Sequence, residues 1–279
     1  MRHAPWRWLF GLGAPIAAGA MLLGQGGAAD ASRAAVSQAA APSRAAAHPA
    51  FSRGAAGGFA RSRAAAASAA AWIPPGGILA LGMHGAAVRR LQARLAALKY
   101  YPGRIDGRFG LDTLEAVWAF KEVQGLIIDS ANSDEVSRAT ERALAHPRAP
   151  RVLVRGGGSR RIEVNTGDEV LVLYNHGRVE LISHVSTGAD CLPGEGCSWD
   201  TPTGDFSALS FHRGWITVPL GEMYNPVFFI GMQYAIHGEW NTNVPWYPDS
   251  HGCVRIPYDT ATFFHSLFGV PGTPIYIRD

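Results

Sequence analysis

The sequence predicts a multidomain protein of α and β class, in which a small three-helix bundle is followed by a mostly β domain. Three observations support this fold class. The N-terminal quarter has a composition that does not build a core, the middle repeats apolar residues at helical spacing, and the rest alternates apolar and polar residues as strands do. With 279 residues, 47% of them hydrophobic, the chain is long enough for one or two domains with proper cores.

The chain begins with the features of an export signal. Two arginines in the first seven residues are followed by an apolar run at 9–24 and by small residues that suit cleavage near Ala29 or Ala31. We therefore predict a signal peptide at residues 1–31. The apolar run is shorter than the roughly 20 residues needed to cross a bilayer. An uncleaved anchor that tethers the protein is the alternative.

Alanine dominates the next segment, where it supplies 20 of the 41 residues from 31 to 71 without any regular apolar period. We predict a disordered Ala-rich linker at residues 32–74. Residues 1–74 hold seven arginines and one aspartate, a charge of +6, so the other 205 residues carry −3 of the overall +3. The high pI of the chain therefore reflects the arginines of residues 1–74. No basic face is expected on a folded domain, and nucleic acid is not an expected partner.

Three cysteines in an exported protein leave one without a partner. Cys191 and Cys197 flank LPGEG, whose proline and glycines permit the tight return that a disulfide needs. Closing this short loop would stabilise the fold by about 2 kcal/mol. A metal site at this pair is the alternative, although the sequence places no second cysteine pair or histidine cluster near it. The unpaired cysteine is then Cys253.

Amphipathic helices are predicted after residue 75. Apolar residues recur at helical spacing in the first helix, at Val88, Leu91, Leu95 and Leu98. A turn-rich stretch, YYPGRIDGRFG, separates this helix from a second one. The second helix is predicted to open with a capping box formed by Asp112 and Glu115 and to end at Gly125. A third helix, capped by Ser133 or Asp134, would complete a small bundle.

Three stretches of this region follow one another in a recognisable order: LGMHGAAVRRLQARLAALKYY, IDGRFG and TLEAVWAFKEVQGL. With this order of helix, glycine turn and helix, residues 78–144 resemble the peptidoglycan-binding domain found beside many cell-wall enzymes, and we assign residues 75–146 to such a domain. The resemblance implies that the bundle binds the glycan or the stem peptides of peptidoglycan. The chain departs from the family before the third helix, where IIDSANSDEV lacks the usual second Asp-Gly.

Strand-like alternation begins beyond the segment HPRAPR. RIEVNTGDEVLVLYNHGRVELISHVSTG alternates β-branched and polar residues, with turns at NTGD and YNHGR. Further strands are predicted at 206–211, 215–218 and 233–236. A late helix is predicted at 259–267, followed by a last strand at TPIYI.

Residues suited to nucleophilic chemistry concentrate near the end of the chain. Cys253, in the stretch SHGCVR, becomes a strong nucleophile only as a thiolate, and a histidinium within hydrogen-bond reach favours that form. His237, at the end of the predicted strand YAIHG, is the better proton acceptor. His251 is two residues from the thiol and could orient the loop or touch the sulfur. Each residue taken alone also fits a structural role.

The neighbours of Cys253 add to this pattern. Gly252 permits the tight turn that exposes the thiol, and the backbone N–H groups of Gly252 and Cys253 are candidate oxyanion donors. Arg255 offers bidentate geometry for a carboxylate. Chance alone is a much poorer explanation for the combination of these residues than for any one of them.

The segments VSTG, TPTGDF, YAIHG and SHGCVR occur in this order between residues 161 and 277. This region closely resembles the L,D-transpeptidase catalytic domain, whose signature is His-Gly, a loop, and Ser-His-Gly-Cys-hydrophobic-Arg or Asn. The resemblance implies a β-sandwich-like catalytic domain, which we assign to residues 151–279. It also implies that Cys253 is the nucleophile, His237 the general base and His251 the second histidine. The Thr that commonly follows His-Gly is Glu239 in this chain.

The predicted site is thus divided between catalysis and substrate binding. The predicted catalytic residues are Cys253, His237, His251 and Gly252. The candidate substrate-binding residues are Arg255, Ser250, Tyr234 and Trp240.

The resemblance further implies the reaction. The thiol attacks the carbonyl of the third stem residue, D-alanine leaves, and the side-chain amine of a second stem resolves the thioester. Peptidoglycan stem peptides and glycan are the expected partners, carbapenem-type inhibitors are expected to react with the thiol, and no metal or other cofactor is expected. The expected location is the cell wall or the periplasmic space. Two alternatives are an L,D-carboxypeptidase that hydrolyses the same acyl-enzyme and a non-catalytic wall-binding protein.

Overall fold

The structure is a computed structural model that describes residues 78–192, 194, 196–239 and 244–279. The predicted signal peptide, the predicted Ala-rich linker and Trp240 lie outside the described residues. None of the helices in the described ranges is long and apolar enough to cross a membrane.

The described residues form four α-helices and fourteen short or medium strands. The helices are α1 (Ala86–Ala97), α2 (Leu111–Gln124), α3 (Arg138–Ala145) and α4 (Tyr258–Phe264), the last continued by a 3-10 turn at His265–Leu267. The strands are β1 (Leu79–Ala80), β2 (Glu135–Val136), β3 (Arg161–Asn165), β4 (Val170–Asn175), β5 (Arg178–His184), β6 (Cys191–Leu192), β7 (Gly196–Cys197), β8 (Gly204–Ser207), β9 (Ser210–Phe211), β10 (Trp215–Val218), β11 (Gly221–Ile230), β12 (Tyr234–Gly238), β13 (Val254–Ile256) and β14 (Pro274–Arg278).

The three N-terminal helices form the expected bundle, with two differences at their starts. Helix α2 has Gly110 at its N-cap and no side-chain cap, so the predicted capping box of Asp112 and Glu115 is wrong, but the helix ends at Gly125 in a left-handed conformation as predicted. Helix α3 starts after Ser137, whose side chain accepts the N–H of Thr140. The predicted earlier start is wrong because β2 pairs there with β1.

Two five-stranded sheets form the second part of the protein. The rear sheet has the strand order β5-β4-β3-β14-β8, and the site sheet has the order β10-β11-β12-β13, with β9 also paired to β11. Both sheets and α4 contribute to one apolar core, which includes Ile162, Leu171, Val227, Ile236, Val254 and Phe264. The sandwich-like architecture predicted for this part is confirmed.

Two strands of the site sheet are absent from the sequence-based prediction. Strand β11 contains Pro226 and a residue with positive φ, Asn225, which interrupt the alternation that marks a strand. The side chain of Asn225 accepts the N–H of Gly214 at 2.7 Å and donates to the carbonyl of Ala261 at 3.0 Å, which stabilises this irregularity. Strand β13 has only three residues and gives no periodic signal.

The bundle covers the outer face of the rear sheet. Strand β4 alternates between two cores: Val170, Val172 and Tyr174 contact the helices, whereas Leu171 and Leu173 face the sandwich core. Burial on both faces explains why this strand is apolar along its whole length. Ten of the fourteen residues of α2 are buried, polar residues such as Glu115 and Lys121 among them, so little of this helix faces solvent. The described residues accordingly belong to a single compact unit.

Candidate active site

The predicted nucleophile and base lie on neighbouring strands of the site sheet. Strands β12 and β13 run parallel, and His237 is the register partner of Arg255. Cys253 precedes β13 directly and packs beside Ala235 of β12. Because alternate residues of a strand share a face, Cys253, Arg255, Ala235 and His237 face the same side of the sheet. Cys253 lies two residues before the register partner of His237, so the two residues are diagonal neighbours across the adjacent strands.

The Cys253 thiol is buried, with 9% of the residue exposed, and it packs against Met223 and Phe228. Its Sγ lies 3.7 Å from the carbonyl oxygen of Gln233, to which the thiol donates. Burial raises the pKa of the Cys253 thiol, while the backbone N–H of Ala235 and the charge of Arg255 favour the thiolate to a smaller extent. The resting cysteine is therefore a protonated thiol.

His237 is also buried and is held in one orientation. Its Nδ1 lies 2.9 Å from the carbonyl oxygen of Gly238, and this contact assigns the proton to Nδ1 and leaves Nε2 as the acceptor. Burial lowers the pKa of His237 to about 4, and Arg255 adds to this effect against the contact with Gly238. The sequence suggested an imidazolium that lowers the pKa of the thiol. The structure has instead a neutral imidazole and a neutral thiol, because both groups are desolvated.

The turn before the nucleophile is held by Ser250. This residue is only 1% exposed, and its hydroxyl donates to the carbonyl of Cys253 at 2.6 Å and accepts the N–H of Gly252 at 3.1 Å. The hydroxyl is thus buried and engaged within the turn, and the contact of Ser250 with substrate stays a prediction. The N–H of Gly252 is engaged by the same hydroxyl, so it is not presented as the expected oxyanion donor.

Gly252 has a conformation and surroundings that exclude other residues. Its φ is +105°, and a Cβ at this position would lie 2.6 Å from Cε1 of Tyr234. The half-buried ring of Tyr234 therefore covers the turn. His251 is half-buried, and its ring meets that of Trp199 edge to face, with centroids 4.8 Å apart. This contact fits the loop-orienting role of the two that the sequence left open for His251.

Arg255 has two acidic neighbours. Its Nε lies 3.3 Å from a carboxylate oxygen of Glu239, and its Nη1 lies 3.6 Å from one of Asp249 and donates to that residue's carbonyl at 2.8 Å. Glu239 and Asp249 together carry more negative charge than Arg255 balances. The sequence identified Glu239 as a departure from the family pattern but could not show that it pairs with Arg255.

Residues upstream in the sequence hold this turn through backbone hydrogen bonds. The backbones of Ser186 and Arg255 exchange two hydrogen bonds of 3.0 Å, and the carbonyl of Thr187 accepts the N–H groups of Asp249 and Ser250. A Cβ on Gly188 would lie 1.9 Å from the carbonyl oxygen of Trp199. The VSTG segment thus supports, through its backbone, the turn at residues 250–253, the nucleophile turn, so named for the predicted role of Cys253. This role is set by backbone contacts, which the sequence of the motif does not express.

Cys191 and Cys197 are joined by a disulfide and are register partners of the short β6–β7 pair. Cys253 is the free cysteine of the chain.

Comparisons with known proteins place this geometry in a family. Residues 159–277 match the family model described as the L,D-transpeptidase catalytic domain, and residues 84–130 match that of a putative peptidoglycan binding domain. The crystal structure of the L,D-transpeptidase from Xylanimonas cellulosilytica is similar to this chain at 31% identity and a TM-score of 0.63, over 71% of this chain and 96% of that one. The chain belongs to the L,D-transpeptidase family. It is accordingly an enzyme that acts on peptidoglycan, with a peptidoglycan-binding domain before the catalytic one.

Two further solved structures are similar at lower levels. An L,D-transpeptidase from Stackebrandtia nassauensis shares 18% identity, with a TM-score of 0.41, over 71% of this chain and 93% of that chain. L,D-transpeptidase 3 from Mycobacterium tuberculosis, solved with a faropenem-derived adduct, shares 13% identity, with a TM-score of 0.37, over 43% of this chain and 60% of that chain. No curated protein matches the sequence significantly.

Proposed function

We propose that this L,D-transpeptidase crosslinks the stem peptides of peptidoglycan through a thioester on Cys253, with His237 as the general base. The observation that carries the proposal is the position of these two side chains on one face of the site sheet, with His237 on β12 and Cys253 directly before the adjacent parallel strand β13. The unprotonated Nε2 of His237 supports the role of base.

In the first half-reaction, Sγ of Cys253 bonds to the carbonyl carbon of the third stem residue while His237 Nε2 accepts the thiol proton. The C–N bond to D-alanine then breaks, and the leaving amine takes the proton from His237. In the second half-reaction, the side-chain amine of another stem attacks the thioester. Its proton passes through His237 to the departing sulfur, so the enzyme returns to its neutral thiol and imidazole.

Because the Cys253 thiol and the His237 imidazole are both neutral at rest, the thiol proton is transferred to the imidazole during the attack. Because burial lowers the pKa of His237 to about 4, the imidazole is available as a base at every pH above about 5. Because burial raises the pKa of the thiol, the proton has to leave as the sulfur attacks rather than beforehand. Arg255, which lowers the pKa of His237, also opposes a standing imidazolium.

Location and ligands complete the proposed function. The N-terminal residues support export to the cell wall or the periplasmic space, where peptidoglycan is found. The peptidoglycan-binding bundle is proposed to hold the enzyme on its polymeric substrate. A nucleophilic thiol that forms acyl adducts is proposed to react with carbapenems as well, because their strained carbonyl is an acyl donor.

Intact-mass spectrometry of the full chain tests the proposal. A tetrapeptide stem or a carbapenem is expected to add its acyl mass to the wild-type protein but not to Cys253→Ala. Absence of an adduct on the wild type, or an adduct on the alanine variant, would contradict the mechanism.

Product analysis with and without an added amine acceptor distinguishes crosslinking from hydrolysis. Crosslinked dimer is expected when the acceptor is present. Tripeptide as the only product would identify an L,D-carboxypeptidase.

A further inference from the structure

The segment at residues 244–250 leads directly into the nucleophile turn and has no helix or strand of its own. It is nevertheless held firmly at its start. Val244 is only 1% exposed, and its N–H donates to a carboxylate oxygen of Glu115 at 2.9 Å. Glu115 belongs to α2 of the peptidoglycan-binding bundle. A residue of the bundle thus binds the backbone of a catalytic-domain loop.

A second contact to the same part of the loop is made by His184, whose ring is held in turn by α2. His184, at the end of β5, lies with Nδ1 2.8 Å from a carboxylate oxygen of Glu122 and with Nε2 2.9 Å from the carbonyl of Pro245. Both ring nitrogens face acceptors, so both carry protons and His184 is an imidazolium. The ring of Trp118 packs edge-on against it, with centroids 5.4 Å apart.

The three residues of α2 that make these contacts lie along one face of the helix. Residues 115, 118 and 122 lie three and seven positions apart, which places them on one face of the helix over two turns. The other end of the loop is held by the catalytic domain itself, since Ser186 Oγ donates to the carbonyl of Tyr247 at 2.8 Å. From there the chain continues to Ser250 and Cys253.

We propose that Glu115 is a positioning residue for catalysis, through which the peptidoglycan-binding bundle holds the loop that presents the Cys253 thiol. The inference rests on the proposed function and adds to it a role for the bundle beyond wall binding. The hydrogen bond to Val244 is buried, so removing its acceptor leaves an N–H without a partner and lets the loop move. Misplacement of a reacting group by about 1 Å can cost on the order of a hundredfold in rate.

The test compares two substitutions of Glu115 in the full chain by the rate at which a carbapenem acylates Cys253. Glu115→Gln keeps an acceptor oxygen for the Val244 N–H and is expected to acylate within about twofold of the wild type. Glu115→Leu removes the acceptor and is expected to acylate at least about tenfold more slowly. The rescue by glutamine separates hydrogen bonding from charge.

Gln92→Leu is the matched control for stability. Gln92 is 1% exposed, lies in the bundle and accepts the N–H of Gly107 at 2.8 Å, and its hydrogen bonds are made within the bundle. Its loss is expected to lower the melting temperature at least as much as Glu115→Leu, because Gln92 makes several hydrogen bonds and Glu115 accepts the one from Val244. The acylation rate of the folded Gln92→Leu protein is expected to stay within about twofold of the wild type.

Several results would overturn the inference. One is a folded Glu115→Leu protein that acylates at the wild-type rate, and another is a Gln92→Leu protein slowed as much as Glu115→Leu. If the leucine variant does not fold, Glu115→Asp, which withdraws the acceptor by one methylene, replaces it with the same expected slowing.

Hydrogen exchange separates this inference from the proposed function. The Val244 amide is expected to exchange slowly in the wild type and in Glu115→Gln, and quickly in the folded leucine or aspartate variant. If the wild type forms no adduct at all, the proposed function fails and these exchange rates still decide whether Glu115 holds the loop. Fast exchange of Val244 in the wild type would contradict the contact itself.

Discussion

At the scale of single residues, the site combines a buried thiol with a buried imidazole that has little tendency to ionise. A cysteine enzyme that rests as an imidazolium–thiolate pair shows a thiol reactive well below neutral pH. The desolvation of Cys253 and His237 gives the opposite resting state. The two states are distinguishable in solution.

The pH dependence of alkylation makes this distinction. The rate of Cys253 alkylation by iodoacetamide is expected to rise about tenfold per pH unit between pH 6 and 8, since only the growing thiolate fraction reacts. His237→Gln is expected to leave this profile unchanged while abolishing acylation by a tetrapeptide stem. A rate independent of pH across this range would indicate a preformed ion pair instead.

The charge of Arg255 is the second residue-scale feature. Glu239→Gln removes one of its two carboxylate neighbours and is expected to make the cation more available to a carboxylate of the donor stem. The KM for a carboxylate-bearing donor is expected to fall about threefold, with a smaller change in kcat, in line with a partly exposed ion pair. Asp249→Asn, which leaves the closer Glu239 contact in place, is the control. An increase in KM for Glu239→Gln would show that Glu239, not Arg255, contacts the donor.

Sequence predicts roles for Cys253 and His237 from local features, namely a thiol after a glycine and a histidine at the end of a strand, and the structure brings the two residues onto neighbouring strands. It could not give the ionisation states, which follow from burial by distant strands. The burial of Ser250 was hidden for the same reason. A serine beside a nucleophile suits substrate contact equally well until its burial beneath the turn is known.

At the scale of elements, the nucleophile turn depends on a backbone conformation that only glycine adopts easily. Gly252→Ala is expected to reduce acylation at least about a hundredfold, because the new methyl group meets the ring of Tyr234 and displaces the thiol. Gly177→Ala is the matched control: it has φ +71° in the β4–β5 turn but open space around its Cβ position. We expect the control to lose about 1–2 kcal/mol of stability and no activity. Rates are compared at temperatures where both variants are folded by circular dichroism.

Regular elements were predictable where local pattern and burial agree. Gly125 ends α2 because it takes up the left-handed conformation that closes a helix. Strand β11 was not predictable. Pro226 and the bulge at Asn225 interrupt the alternation of apolar and polar residues that marks a strand. The docking of α2 on the rear sheet was equally hidden, because buried polar residues such as Glu115 and Lys121 interrupt the apolar pattern of this helix.

At the scale of the whole molecule, the bundle and the catalytic domain share buried charge as well as apolar core. Burial raises the pKa of Glu115 to about 8 and of Glu122 and Glu169 to about 7. Burial opposes the charged form of His184, but the nearby carboxylates of Glu122 and Glu115 prevail and raise its pKa to about 9.

Stability is therefore expected to fall as the pH rises. Each raised carboxyl holds a proton in the folded state that the unfolded chain releases above the ordinary glutamate pKa of 4.5, so its contribution is complete below that pH and is lost by about pH 8. The contribution of His184 is complete below the ordinary histidine pKa of 6.5 and is lost as the pH passes about 9. For each proton that the folded state holds and the unfolded chain has released, the free energy of unfolding falls by about 1.4 kcal/mol per pH unit.

Thermal unfolding between pH 5 and pH 9 measures this effect. The melting temperature is expected to fall by at least about 5 °C, since 1 kcal/mol corresponds to about 2–4 °C for a protein of this size. Glu115→Gln is expected to flatten the dependence, because its amide does not titrate. A melting temperature that rises with pH would show that these groups are charged and well solvated in the folded protein.

The segment between helix α3 and strand β3 determines how the chain responds to proteases. The side chain of Gln124 accepts the N–H of Arg148 and donates to its carbonyl, so part of this segment is fastened to α2. A cut in the exposed stretch that follows would sever the chain but leave the shared core of α2, β4 and β5 intact. The two fragments should co-elute as one particle and keep their acylation activity, as a nicked enzyme rather than a pair of separated domains.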